Sequence, residues 1–332
     1  MRVAIPASIR SAADPLPLMI AAFCLLWSSA FAVAKLALAD CPPLLLLTAR
    51  FLLAGGLMLT AAALDRSPWR VARRDILALA LLGIANNALY LGLNYVGMRS
   101  ISAGLSALIV SANPVLTAVL AAMFLNEGMT WRKTTGLLLG IGGVAFIVGS
   151  RVTGRIDDPI GIVFTVGALV SLVGGTILFK RLAPNGGLWL GNGVQNLAGG
   201  LAIAPLAFSF EAVSEVVPSW RLIGALAYSV LFVSVFGYLL WFHLLTVSGA
   251  TTASAYHFLM PPLGMLFGWL LLGEHIEWFD LIGLAPVALG IYLVTRPGRS
   301  ARGKLAPGSE AGFRLLQMGC HRSVQRRIDW RF

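Results

Sequence analysis

The stretch from Ser106 to Val148 occurs twice in this chain, and that duplication sets the terms for any fold. Displacing the sequence by 147 positions lays Pro114 on Pro261, Leu116 on Leu263, Leu125 on Leu272, Glu127 on Glu274, Trp131 on Trp278, Gly136 on Gly283 and Gly143 on Gly290 without a gap. A second match, displaced by 144, pairs Asp14-Pro15 with Asp158-Pro159 and sets Leu53-Ala54-Gly55-Gly56-Leu57 on the identical run Leu197-Ala198-Gly199-Gly200-Leu201. Apolar sequence gives chance matches, but a proline, a glutamate and a tryptophan shared in fixed register are hard to obtain that way. The chain reads as a tandem duplication.

What is duplicated belongs in a bilayer. Of 332 residues 58% are hydrophobic and only 12% charged, against about 45–50% and 25% in soluble domains. Apolar runs able to cross a hydrocarbon core of about 30 Å fall at about Leu16–Leu38, Leu44–Leu64, Ile76–Met98, Ile101–Leu125, Thr134–Val148, Ile160–Phe179, Leu188–Phe208, Leu222–Leu245, Thr251–Leu272 and Leu281–Val294. The first is too long for a signal-peptide core and lacks an evident cleavage site. The expected fold is an all-α membrane protein of ten transmembrane helices, five in each repeat. Its parts are an N-terminal tail 1–15, repeats 16–149 and 158–295, and a basic tail 296–332. The fifth and tenth runs are short, and Trp131 and Trp278 stand where an interfacial aromatic belt extends them.

Arginine and lysine placement orients the helices. With the N-terminus inside, cytoplasmic segments before the tail hold ten basic residues, while Arg99, Arg151, Arg155 and Arg221 fall outside. The positive-inside rule then puts both termini in the cytoplasm. Because five is odd, the second repeat must lie upside-down relative to the first, as in many alternating-access carriers. Of the net charge of +11, the segment from Arg296 onward carries +7. Basic residues after a last span point to anionic lipid, not nucleic acid, and this tail, without apolar periodicity, is expected to be disordered.

Enzymatic and cofactor chemistry find little support. Cys24, Cys41 and Cys320 have no paired spacing, so neither a disulfide framework nor a thiolate metal site is indicated. His243, His257, His275 and His321 show no HExxH pattern, and no cofactor or metal is expected. An enzyme acting on lipid-linked substrates would need a nucleophile or metal cluster at the membrane surface. A scaffolding protein would explain the polar helix faces as interhelical glue alone.

All fourteen acidic residues fall outside the ten runs, leaving Lys35 and Arg50 as the charges within them. Either can snorkel to outer headgroups or form a positive vestibule for anionic or zwitterionic solutes. Asn87, Tyr90 and Asn94 recur at i, i+3 and i+7 with Asn86 beside them. Ser106, Asn113 and Thr117 share a face of run four, Asn192, Gln195 and Asn196 lie in run seven, and Ser234, Tyr238 and Trp241 lie in run eight. Such groups must face other helices or water. Pro114 and Pro261-Pro262 fall midway along runs four and nine, freeing carbonyls four residues earlier. Gly55-Gly56, Gly199-Gly200, Gly136, Gly140 and Gly143 suit close helix contact.

Ser111-Ala112-Asn113-Pro114 … Leu125-Asn126-Glu127 … Gly136 … Gly143, matched by Pro261-Pro262 … Leu271-Leu272-Gly273-Glu274 … Gly283 … Gly290, resembles the EamA-type carriers of the drug/metabolite transporter superfamily over about 16–295. Trp27-Ser28-Ser29-Ala30-Phe31, Lys35 and Arg50 also resemble that family's first half. The resemblance implies a central cavity, export or exchange of small metabolites such as amino acids, a bacterial inner membrane, and coupling to protons, with facilitated exchange as the alternative. The substrate-binding candidates are Trp27, Arg50, Asn87, Tyr90, Asn94, Asn113, Gln195, Trp241, Tyr256 and His257. In this reading Arg50 attracts a carboxylate or phosphate, the amides orient the solute, and the aromatic rings occlude the path.

Overall fold

The computed structural model describes residues 16–64, 71–124, 130–154, 156–182, 184, 187–248 and 256–295. The expected tails 1–15 and 296–332 lie outside the described residues, as does Glu127. The described residues form helices and no strands. They are α1 (Leu16–Leu38), α2 (Pro43–Leu64), α3 (Arg73–Gly83), α4 (Gly92–Gly97), α5 (Ala103–Ser111), α6 (Asn113–Phe124), α7 (Trp131–Thr153), α8 (Pro159–Leu182), α9 (Leu188–Phe210), α10 (Trp220–Tyr228), α11 (Tyr238–Ser248), α12 (Met260–Leu272) and α13 (Trp278–Thr295). Two π-helical stretches, Ile84–Leu91 and Ser229–Gly237, join α3 to α4 and α10 to α11, and a 3-10 turn, Tyr256–Leu259, precedes α12. Eight helical stretches are long and apolar enough to cross a bilayer, and Met260–Leu272 and Trp278–Leu293 are shorter apolar helices. Residues such as Leu18, Val163 and Leu201 turn outward, each more than half exposed, a surface that suits lipid and not water. The protein is a multi-pass membrane protein.

Several sequence expectations change in detail. The fifth run was expected to be short but is a helix of 23 residues, ending with Arg151 inside its last turn. That extension is possible because Arg151 is neutralised by two carboxylates, and it corrects the placement of Arg151 in an outer loop. The view that acidic residues avoid the spans also fails, since Asp280 lies in the first turn of α13 and is fully buried. Lys35 does not snorkel outward. Its ammonium turns inward to the carbonyls of Met98 and Ile101, the latter at 2.5 Å.

The prolines act as helix starters. Run four breaks at Ala112, and Pro114 sits at the beginning of α6, where Val115 N–H bonds Ala112 O at 3.1 Å. Pro261-Pro262, expected at mid-helix, occupy the first turn of α12. A proline there sacrifices no intrahelical bond, because the first N–H groups of a helix have no acceptor behind them.

One end of the bundle is stitched together by polar contacts. Leu44 and Leu45 at the start of α2 donate their N–H groups to Glu211 after α9, at 3.0 and 2.8 Å. Asp40, between α1 and α2, accepts from Arg221 and Ser219 at the start of α10. Arg151 at the end of α7 pairs with Asp280 at the start of α13 and with Asp157 before α8. Glu274, after α12, accepts from Ala103 and Gly104 at the start of α5. Met98, just past α4, takes the Lys35 ammonium from α1. We call this the latch end.

Glycine seams hold the halves together elsewhere. A Cβ on Gly55 would fall 2.9 Å from Leu197 N, and one on Gly200 3.1 Å from Leu52, so α2 and α9 pack backbone to backbone. Gly56 has nothing within 4 Å and plays no such part. In the second seam a Cβ on Gly290 of α13 would fall 2.7 Å from Gly140 N of α7. Gly290→Ala must push these helices apart and is expected to cost about 1–3 kcal/mol, read as a lowered unfolding midpoint in detergent. Gly56→Ala serves as the control and should leave that midpoint unchanged.

Candidate functional site

Between the halves lies a cavity of about 350 Å³, in the range of small-molecule sites. It runs from Met98 and Arg50, beneath the latch, to Phe179 of α8 and Asn192 of α9, near the opposite ends of those helices. Eight of the ten sequence candidates line it: Trp27, Arg50, Asn87, Tyr90, Asn94, Asn113, Gln195 and Trp241. Tyr256 packs behind that wall, in the cluster of Phe23, Cys24, Leu240 and Met260, where its carbonyl accepts the Cys24 thiol at 3.5 Å. His257 lies in the 3-10 turn, and its side chain is outside the described residues.

Arg50 is the only charged residue among the described residues lining the cavity. It is 6% exposed, and two bonds hold it: Nε donates to Ser234 Oγ at 3.2 Å and Nη1 to Tyr95 Oη at 2.7 Å. Both partners are neutral. A guanidinium has five N–H donors, so this one keeps donors and a full charge for an incoming anion. Holding such a charge without a carboxylate is costly in a dry interior; a wet cavity or an anionic ligand lowers that cost.

The remaining walls divide by chemistry. On one side Trp27 meets Tyr238 edge-on with centroids 5.7 Å apart, while Phe23 stacks on Trp241 at 5.2 Å. The other side carries amides. Asn94 accepts from Ser106 Oγ at 2.8 Å, and Asn113 from Thr117 Oγ1 at 3.0 Å. Asn192 and Gln195 turn amide nitrogens to their own helix, on Leu188 O at 3.0 Å and Gly191 O at 3.3 Å. Their oxygens are then the groups left to accept from a solute. Asn86 Oδ1 is buried without a partner and packs against Gly175, where a Cβ would lie 2.7 Å from the amide carbon. Gly175→Ala is expected to displace Asn86 into the cavity and raise the apparent KM for any carried solute about tenfold, a cost of about 1.4 kcal/mol, with little change in expression.

Periodicity alone missed Tyr95, and the π-helical stretch explains why. Lining residues on this crossing recur in pairs every four positions: Asn86 and Asn87, Tyr90 and Leu91, Asn94 and Tyr95. An α-helix of 3.6 residues per turn would rotate the later pairs away. The wider turns of Ile84–Leu91, bonded i to i+5, keep them on the cavity side. The second π stretch, Ser229–Gly237, supplies Val233 to the wall and Ser234 to Arg50. Thr176 and Phe179 were also missed, because a lone threonine or phenylalanine in an apolar run carries no sequence signal.

Outside the spans, Asp40 is held at about pKa 2, first by the bond from Arg221 and then by that from Ser219. With a folded pKa below the unfolded value of about 3.9, its contribution is complete above pH 4 and fades only as pH falls toward 2. Asp40→Asn should therefore leave the shape of any transport profile between pH 5 and 8 unaltered, as measured by flux at stepped pH.

Comparison with known proteins matches this architecture. The chain is 29% identical over 286 residues to the uncharacterized transporter YvbV of Bacillus subtilis, covering 86% of this chain and 93% of that one. It is 28% identical over 288 residues to the S-adenosylmethionine/S-adenosylhomocysteine transporter of Chlamydia trachomatis serovar D, covering 81% and 85%. A solved crystal structure, 18% identical, covers 84% of this chain and 95% of its own with a TM-score of 0.57, a likeness of fold. The model of the EamA-like transporter family matches residues 16–149 and again 159–296. With both halves matched, the chain belongs to the EamA-like transporter family.

Proposed function

We propose that this protein is a secondary carrier that exports or exchanges a small zwitterionic metabolite by alternating access between two inverted five-helix halves. Helices of the first half meet the latch end in the order end, start, end, start, end, and those of the second half in the order start, end, start, end, start. That alternation supports the inversion. Arg50 carries the substrate reading: a buried guanidinium with neutral partners and unspent donors suits a carboxylate or phosphate. Amide oxygens elsewhere in the lining suit an ammonium group, and the Trp27, Tyr238 and Trp241 rings suit an apolar or flat remainder. The S-adenosylmethionine/S-adenosylhomocysteine transporters among its relatives support this class, since such compounds join an α-amino carboxylate to a ring. The charge bias supports a cytoplasmic position for both termini, and residence in a bacterial inner membrane and coupling to protons are family expectations.

The test is flux into liposomes holding the full chain. Labelled amino acids, S-adenosyl compounds, organic anions and nucleosides are offered with and without a pH gradient. Saturable uptake of a carboxylate-bearing solute is expected. Absence of saturable flux for every solute would reject the carrier, and dependence on the pH gradient separates proton coupling from exchange.

A further inference from the structure

Besides the contacts of Asp40 with α10 and of Glu211 with α2, two helix pairs join the halves at the latch end, and they do so differently. α7 and α13 are zipped along their length: Gly140 lies against Gly290, Gly143 against Val287 and Pro286, and Ile147 against Gly283, before Arg151 reaches Asp280. α5 and α12 meet through small residues, with Gly104 against Met265 and Gly268, and Ala107 against Gly264. One turn further on, Val110 and Ser111 of α5 and Met260 of α12 already line the cavity. This second pair thus runs from the latch to the cavity wall.

A single carboxylate closes the latch end of this pair. Glu274 Oε1 accepts from Ala103 N–H at 2.5 Å, and Oε2 from Gly104 N–H at 3.0 Å. These N–H groups have no acceptor within α5, and the helix dipole favours an anion there. Gly273, at φ 66°, turns the chain sharply after α12, and Glu274 N–H returns to Gly268 O at 3.2 Å, which aims the carboxylate across the gap. Gly104 leaves it room, since a Cβ there would sit 3.4 Å from Oε2.

We propose that the clamp of Glu274 on the start of α5 is a contact made and broken at this end in each transport cycle, while the Arg151–Asp157–Asp280 triad stays closed throughout. This rests on the alternating-access reading above. The start of α5 stays with the triad, Ser102 N–H on Asp157 Oδ1 at 2.6 Å and Arg151 Nη1 on Ser102 Oγ at 3.3 Å, so it is the end of α12 that withdraws, and water then solvates both the carboxylate and the two N–H groups. Arg151 has no such exit. Its side chain is 4% exposed and its partners 3% and 0%, in a seam whose glycines leave no room to part.

The clamp is tested on the full chain in vesicles of each orientation. Cys24, Cys41 and Cys320 are replaced by alanine, and Ser111→Cys reports on the cavity. A membrane-impermeant maleimide is applied from the latch side. Glu274→Gln offers one acceptor oxygen where the carboxylate offers two, and is expected to label about tenfold faster, the loss of one charge-assisted bond. Gly56→Ala, at a position where a Cβ meets nothing within 4 Å, should label at the unaltered rate. Should the glutamine variant fold poorly, Glu274→Asp is read in its place, because its shorter stem reaches one N–H at most. Unchanged labelling in a variant with an intact unfolding midpoint overturns the clamp. Equal labelling of the reporter from both sides in the unaltered chain, with and without solute, would instead overturn alternating access itself.

Discussion

Arg50→Gln is expected to cut transport of a carboxylate-bearing solute by about one to two orders of magnitude while leaving the protein as stable as before, or more so. Both halves follow from its surroundings. A charge-assisted bond contributes about 1.5–3 kcal/mol, and 1.4 kcal/mol is tenfold in affinity, so losing the anion's anchor should dominate binding. The folded protein, by contrast, loses two hydrogen bonds, to Ser234 and Tyr95, and a cation–π contact with Phe51, while glutamine relieves a buried charge with neutral partners. Flux and the detergent unfolding midpoint should therefore move independently. Parallel loss of both would make Arg50 a structural residue and leave the substrate reading without its anchor.

Arg151→Gln should do the opposite. Arg151 donates bidentately to Asp280, at 2.9 and 2.5 Å, and to Asp157 at 2.8 Å. Removing the cation strands two buried carboxylates, and breaking a buried pair by deleting one partner costs about 3–5 kcal/mol. Folded yield and unfolding midpoint should fall together, and transport with them. Since a buried triad gives little net stability over apolar groups of similar shape, Arg151→Met combined with Asp157→Asn and Asp280→Asn should recover most of the midpoint. No recovery would mean that the triad specifies the packing of α7 on α13 beyond balancing charge.

The comparison of these two arginines also marks how far the sequence could be read. Run lengths, the doubled Pro–Glu–Trp–Gly register and the odd number of runs per repeat carried the broad architecture, because bilayer thickness and hydrogen-bond satisfaction leave few choices. Arg50 stood out as a charge inside an apolar run. Arg151 lay past the end of its run and read as a loop residue, since only tertiary structure brings Asp157 and Asp280 to it. Lys35 was misread for the same reason: its acceptors, Met98 O and Ile101 O, are backbone groups more than sixty residues away. The π-helical stretches are invisible to a 3.6-residue period, so Tyr95 was missed although Asn94, its neighbour, was not. Pro261-Pro262 looked like a mid-helix break because the run before them was taken as one helix with α12.

The most direct measurement concerns two distances in one protein. Spin labels at Arg99 and Leu271 report the latch end of the α5 and α12 pair, and labels at Met123, near the end of α6, and Val247, near the end of α11, report the opposite end. On adding a transported solute, alternating access requires the first distance to lengthen as the second shortens. Two distances that both stay fixed, or that change in the same direction, would contradict it.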